Sequence, residues 1–264
     1  MNQKFIVLEP AFNLRILGRT ALKGNWQNAV LAMLIYMFFT GFVGIMIDAL
    51  FGTTYTIAPG VEFSTTYSGL FNLAISGAFG VGVATYILRL FRHQETNLGN
   101  IFSGFERFGK AFVLGLLIWI FTLLWTLLFI VPGIIAYFRY SQSYFIMHDH
   151  PDWSAMDCIR ESKRLMAGNK AKLFTTTLSF IGWAALAMLP VIFYSVWYTM
   201  AFVTEILATG GTYTSTPFGP VEYIIIFVLS LGYTGVMAYY YATCAAFYEL
   251  LTGHMNGKVF SLMQ

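Results

Sequence analysis

The sequence predicts an all-α, polytopic membrane protein. It has six transmembrane helices and three short amphipathic helices lying along the cytoplasmic surface, all in one domain over residues 1–264. Three observations predict it: a composition too apolar for a water-facing surface, a series of long runs nearly free of charge, and the confinement of almost every cation to alternate connections. Of 264 residues, 58 % are hydrophobic and 10 % charged, against roughly 25 % charged in an ordinary soluble domain. So few charges could not cover a water-facing core, which argues against a soluble globular enzyme. The high hydrophobicity also excludes disorder.

A crossing helix needs about 20 apolar residues to span about 30 Å of hydrocarbon. Residues 29–50, 70–88, 111–131, 173–200 and 223–248 meet that need, and Asp48 is the one charge among them. The remaining run, 132–147, is shorter and carries Arg139. Val131-Pro132-Gly133 reads as a tight turn between the third and fourth runs, because proline starts helices well and glycine closes turns. In lipid the backbone must satisfy its own hydrogen bonds, so each run is expected to be helical.

Charge sets the orientation. With the N-terminus inside and six crossings, fourteen of the fifteen Lys and Arg residues fall on the cytoplasmic side. They lie in residues 1–28, 89–110, 148–172 and the C-terminal tail, as the positive-inside rule requires. Five crossings would put the cluster Arg160, Lys163, Arg164, Lys170 and Lys172 outside. The sequence therefore favours six, a plasma-membrane location, and both termini in the cytoplasm. Cys158 and Cys244 are too few for a disulfide scaffold and are expected to be reduced.

Each cytoplasmic segment before an odd-numbered run reads alike: an amphipathic helix, a glycine-containing break, then a crossing. In the first, Arg15, Arg19 and Lys23 share one face and Gly24-Asn25-Trp26 follows. In the second, Phe102, Phe105 and Phe108 fall three apart before Gly109-Lys110. In the third, Trp153, Met156, Ile159 and Met166 form an apolar stripe before Gly168-Asn169-Lys170. The pattern suggests a duplicated or triplicated helix-span-span unit. Helices of this kind lie in the headgroup plane with cations toward anionic lipid. Small residues at Ala74, Ala78 and Gly82, at Ser76, Gly80 and Ala84, and at Thr234, Ala238, Ala242 and Ala246 predict close packing with the second and sixth spans central. Tyr239, Tyr240 and Tyr241 cannot share one face, so at least one hydroxyl needs a polar partner.

Arg139 is the sharpest chemical signal. It sits halfway along the fourth run, where an arginine costs about 2.5–3.5 kcal/mol on insertion scales. The expected arrangement is a polar intramembrane site of Arg139, Tyr140 and Gln142, with Asp48 and Glu222 as candidate acids. It would serve as a packing ion pair or a binding site, and Arg139→Ala is expected to disturb the protein more than loss of any surface lysine. His148 and His150 are spaced to share a metal, but no second ligand cluster accompanies them. Asp149 and Asp152 read as helix punctuation. The chain carries no His-Glu-x-x-His, Gly-x-Ser-x-Gly, P-loop or dinucleotide fingerprint. No catalytic residue, metal, cofactor or nucleic-acid partner is expected.

Several stretches carry a family resemblance: Val131-Pro-Gly-Ile-Ile-Ala-Tyr-Phe-Arg139-Tyr-Ser, Phe145-Ile-Met-His-Asp149, Glu161-Ser-Lys-Arg-Leu-Met-Ala-Gly-Asn-Lys170, and Leu178-Ser-Phe-Ile-Gly-Trp183. Ala21-Leu-Lys-Gly-Asn-Trp26 is a further match. Together they resemble the bacterial integral-membrane family called domain of unknown function 975. More loosely, the chain is similar to the membrane domains attached to some glycerophosphodiester phosphodiesterases, which implies a lipid or envelope setting. The leading expectation is a non-enzymatic binding or scaffold module that engages membrane lipid, a hydrophobic peptide or a partner membrane protein. A small-solute or peptide transporter is the alternative, and an intramembrane enzyme ranks last.

Overall fold

A computed structural model describes residues 5–58, 61–208 and 219–255. The fold is helical, with four helices long and apolar enough to cross a membrane and a bent pair that makes a fifth. Helix α1 (Ala11–Leu22) leads into α2 (Trp26–Met37), a π-helical turn over Phe38–Phe42, and α3 (Val43–Phe51). These last three form one long helix, Trp26–Phe51. A two-stranded antiparallel hairpin, β1 (Thr53–Ala58) and β2 (Val61–Thr65), separates it from α4 (Ser68–Phe91). The threonines at Thr53 and Thr65 pair across its base. A 3-10 helix (Leu98–Arg107) then continues into α5 (Phe108–Leu128).

The fourth expected span is where sequence and structure part. Residues 132–147 do not form one helix. The chain instead makes α6 (Ile130–Tyr140) and α7 (Ser143–Asp149), parted at Ser141-Gln142. Polar side chains supply the reason. Ser162 reaches into the gap, donating to the Arg139 carbonyl at 2.9 Å and accepting from the Gln142 N–H at 3.3 Å. It thus satisfies backbone groups that a continuous helix would bond internally. We expect Ser162→Ala to cost about 1–3 kcal/mol, because Gln142 N–H is left buried without an acceptor. Thermal unfolding in detergent measures this, and an unchanged midpoint would remove Ser162 from that role.

Helix α8 (Ala155–Leu165) and α9 (Lys170–Leu178) follow, then α10 (Ile181–Ala208), so the expected span 173–200 is divided at Ser179-Phe180, and α10 runs through Pro190 unbroken. The last pair, α11 (Pro220–Leu229) and α12 (Leu231–Thr252), is bent by 46° at Ser230.

The first and third repeated units share a backbone. Gly24 and Gly168 take φ of 84° and 89°, a region open to glycine at little cost. Around them the hydrogen bonds match one for one. Lys23 N–H to Thr20 corresponds to Ala167 N–H to Arg164, and Asn25 N–H to Leu22 corresponds to Asn169 N–H to Met166. Ala29 N–H to Asn25 corresponds to Leu173 N–H to Asn169. The second unit lacks the break: Gly109 lies inside α5, and Leu98–Leu128 runs as one helix of 31 residues. Its phenylalanines use the three-residue turn of a 3-10 helix, which places residues three apart in a row. Phe102 and Phe105 lie 6.2 Å apart and Phe105 and Phe108 6.0 Å apart, and Phe79 meets the first two edge-on.

The apolar stripes of α1 and α8 pack on protein. Leu14, Leu17, Ala21 and Leu22 are buried, α1 lies along α12, and Gly18 sits directly against Thr243. Cys158, Ile159 and Leu165 of α8 are buried against α5 and α7. Buried Asn169 adds a clamp on the N-terminal segment, accepting from Val7 N–H at 2.9 Å and donating to the Phe5 carbonyl at 2.9 Å.

The core is lopsided. In α4 the buried residues run only from Gly77 to Leu90, in α5 only from Ala111 to Gly115, and in α2 from Ala29 to Met33. Helix α10 buries none of its 28 residues. The helices are therefore tightly packed at the end where Arg92, Lys110 and Arg164 cluster, and have little protein around them at the other end.

Candidate functional site

The five residues expected to form one polar site go to different tasks. Asp48 Oδ1 accepts from the backbone N–H groups of Tyr67 at 2.6 Å and Ser68 at 2.8 Å, at the start of α4. Glu222 accepts from Gly219 N–H at 2.9 Å and caps α11. Both carboxylates thus satisfy helix N-termini, where orphan donors and the helix dipole favour an anion. Arg139 lies in the last turn of α6, half-buried. Its guanidinium makes no hydrogen bond or ion pair among the described residues. Its place at a C-terminal turn, which favours a cation, follows from the helix ending at Tyr140 rather than continuing to Met147. Tyr140 is buried with its ring 6.0 Å from Phe121. Gln142 is buried and donates to Ser141 Oγ at 2.9 Å.

What the fold does assemble is an ion cluster at the ends of three helices. Arg92, at the C-terminus of α4, donates from Nη1 and Nη2 to the two carboxylate oxygens of Asp149 on α7, at 2.7 and 2.9 Å. Its Nε donates to Glu249 of α12 at 2.8 Å. Tyr248 Oη donates to Asp149 Oδ2 at 2.9 Å, and His254 Nδ1 lies 3.3 Å from Glu249 Oε2. Burial opposes ionisation of Asp149, but the hydrogen bonds and charge of Arg92 outweigh it and hold the carboxyl below its usual range. Next to it, His148 shares a 3.1 Å hydrogen bond with Thr85. Burial, with the charges of Arg92, Arg89 and Arg107, depresses its basicity against the opposing pull of Asp149. His150 instead stacks on Trp153, ring centroids 4.1 Å apart, so the two histidines serve different partners.

Sequence reasoning missed this cluster because Arg92, Asp149 and Glu249 are far apart in the chain. One signal was present: each falls just past the end of an even-numbered run, on the side expected to be cytoplasmic, so all three share one expected depth.

A second assembly lies deeper, where the helices begin to part. Tyr36 of α2 meets Tyr241 of α12 edge-on at 6.5 Å, and Tyr241 meets Tyr240 at 5.7 Å. Tyr240 Oη lies 3.3 Å from Thr177 Oγ1, which supplies the polar partner the three-tyrosine run required. Phe180 packs against Tyr239 and Tyr240 at 5.0 and 5.5 Å. From α6, the Tyr137 phenol comes within electrostatic reach of Tyr36, Tyr233 and Tyr240. Tyr137 is 52 % exposed, and Tyr36, Tyr144, Tyr240 and Tyr241 are each half-buried. These phenols therefore gather on α2, α6 and α12 without being fully buried. They present aromatic faces with hydroxyls among them, a surface suited to an apolar guest with a few polar groups.

No curated protein and no solved structure matches the chain, so the looser likeness to phosphodiesterase membrane domains gains no support. A family model described as "Protein of unknown function (DUF975)" matches residues 9–138 and 127–255. The two matches together cover nearly all of the sequence, including every stretch on which the resemblance was read. The chain belongs to this DUF975 family.

Proposed function

We propose that the protein is a multi-pass bacterial plasma-membrane protein with both termini in the cytoplasm, acting as a non-enzymatic module that holds an apolar guest. The guest is foremost a lipid chain, seated over the phenols of Tyr36, Tyr137, Tyr240 and Tyr241. The broken segment α6–α7 serves as the fourth of six crossings. Lys110 Nζ at the start of α5 donates to the Pro151 carbonyl at 3.1 Å, so the chain that leaves with α5 is back at the same level by residue 151. Twenty residues at about 1.5 Å each cover about 30 Å, the thickness of the hydrocarbon. The helices α1 and α8 sit at the cytoplasmic surface with Arg19, Lys23 and Arg160 on the water side.

The observation that carries the reading is the half-buried phenol cluster at the depth where the core stops. Below it the helices interlock around the Arg92 cluster. Above it α10 and the ends of α5 and α6 carry exposed apolar side chains such as Trp125, Phe129 and Phe193. A guest entering between them would bury apolar surface against rings and be stopped by the packed cytoplasmic end.

A photo-crosslinking amino acid at Tyr137, with Val196 of α10 as the control position, tests this. The expected result is a lipid adduct at Tyr137 that exceeds the one at Val196, with the same lipid co-purifying in mild detergent. Adducts only to protein would replace the lipid with a partner helix. Equal adducts at both positions would mean bulk lipid and would overturn the reading. Transport is the second reading, and the break at Ser141-Gln142 with the bend at Ser230 favours it, since discontinuous helices build transporter sites. It requires the Arg92 cluster to open.

A further inference from the structure

A cavity of about 260 Å³ lies between the end of α4, the 3-10 helix, the start of α5 and the end of α7. It adjoins the Arg92 cluster but differs from it in charge balance. Arg92 is compensated by two carboxylates. Arg89 and Arg107 both line the cavity and form no ion pair among the described residues, and Glu106 is the one acid on its wall.

Of the polar side chains lining this space, Thr85 and His148 bond to each other, Glu106 is an acceptor, and Arg89, Arg107, Asn100 and Ser103 can donate. Arg89 commits only Nε, to the Glu95 carbonyl at 3.1 Å. Asn100 uses its side-chain oxygen to accept from Asn97 N–H at 2.8 Å, which leaves its amide N–H groups unspent. Ser103 Oγ is fully enclosed and has no hydrogen-bond partner. A buried hydroxyl without a partner is uncommon, and Ser103 is one of the residues that line the cavity. Two guanidinium groups, a hydroxyl and an amide suit the oxygens of a phosphate group, which accepts several charge-assisted hydrogen bonds at once. The volume is below the roughly 300–1,000 Å³ of a drug-sized site and fits a headgroup or a small phosphorylated solute.

We propose that Arg89, Arg107, Ser103 and Asn100 form a phosphate-binding site at the cytoplasmic surface, taking the phosphate of an anionic lipid headgroup or of a small soluble phosphate. The site is separate from the phenol cluster, so it stands or falls independently of the guest proposed there.

The test uses the full chain in an uncharged maltoside detergent, with thermal stability and native mass spectrometry as readouts. One arm adds phosphatidylglycerol, with a phosphate-free galactolipid as control. The other adds inorganic phosphate or glycerol 3-phosphate. Saturable stabilisation in the first arm alone assigns the site to lipid, in the second alone to a soluble phosphate, and either supports the site. Arg107→Gln is expected to weaken binding by about tenfold or more, in line with loss of a hydrogen bond to a charged group. Ser103→Ala, which changes no charge, is expected to weaken it severalfold. Lys23→Gln, an exposed cation elsewhere on the same face, is expected to leave it unchanged. No saturable binding in either arm overturns the proposal. So does an equal loss in Lys23→Gln and Arg107→Gln, which would mean diffuse attraction. If Arg107→Gln does not fold, Ser103→Ala decides, and unaltered binding there overturns the site.

Discussion

Arg92→Ala lowers the stability of the protein by about 3–5 kcal/mol, the cost of breaking a buried ion pair by removing one partner. The Arg92 side chain is 24 % exposed, and those of its partners Asp149 and Glu249 are 13 % and 5 % exposed. Without it, two carboxylates from different helices face one another with little solvent to screen them. Thermal unfolding in detergent reads the loss, and Arg92→Lys recovers only part of it, since a point charge cannot reproduce the forked contact with Asp149. Glu249→Gln in the Arg92→Ala background restores stability by removing one of the stranded charges. Arg92→Ala that unfolds with the wild type would show that the cluster contributes nothing. The pH dependence has a definite sign. Asp149 ionises more readily in the folded protein than in the unfolded chain. Its contribution is present above the ordinary carboxylate value of 3.8 and is lost as pH falls through the lower folded value.

Gly82→Ala destabilises the protein by more than the 1–3 kcal/mol typical of an overpacked core. A Cβ at Gly82 would run into the backbone carbonyl of Ile101, and one at Gly104 into the carbonyl of Ala78. The two glycines let α4 and the 3-10 helix approach from both sides, and Gly77 does the same against Ala111 of α5. A carbonyl in a hydrogen-bonded helix cannot rotate away as a side chain can, so the whole contact must separate. Gly235→Ala and Gly109→Ala, where a Cβ meets nothing within 4 Å, are the matched controls and should be near neutral. Equal unfolding midpoints for all three variants would show that the α4 contact is not tightly packed. Separation here would also shift Ile101, Ser103 and Arg107 relative to α4.

The small-residue rows at Ala78, Gly82 and Ala238 were legible as packing surfaces, and they lie in α4 and α12, the two helices with the longest buried stretches. The partner of Gly82 was not legible. It is a 3-10 helix, and sequence periodicity gave that segment only three phenylalanines at a spacing of three. Arg139 shows the opposite failure. It was read as the middle of one uninterrupted helix, and it lies instead in the last turn of α6, because Ser162 on another helix divides the run at Ser141-Gln142. Asp48 and Glu222 were legible as acids near span ends, which is where caps are needed. Pairing them with Arg139 required distances that no sequence contains.

Periodicity, the length of apolar runs and the placement of cations are local properties, carried by each segment before it meets another. By itself the sequence therefore determined a helical architecture with several helices apolar enough to cross a membrane, the glycine turn shared by its first and third units, and the segments in which charge gathers. Which helix ends meet is a non-local matter, decided when close backbone contacts set the rotation and depth of each helix. Only the tertiary structure could bring Arg92, Asp149 and Glu249 within hydrogen-bonding distance, join Tyr36 of α2 to Tyr241 of α12, and leave Arg89 and Arg107 lining a cavity.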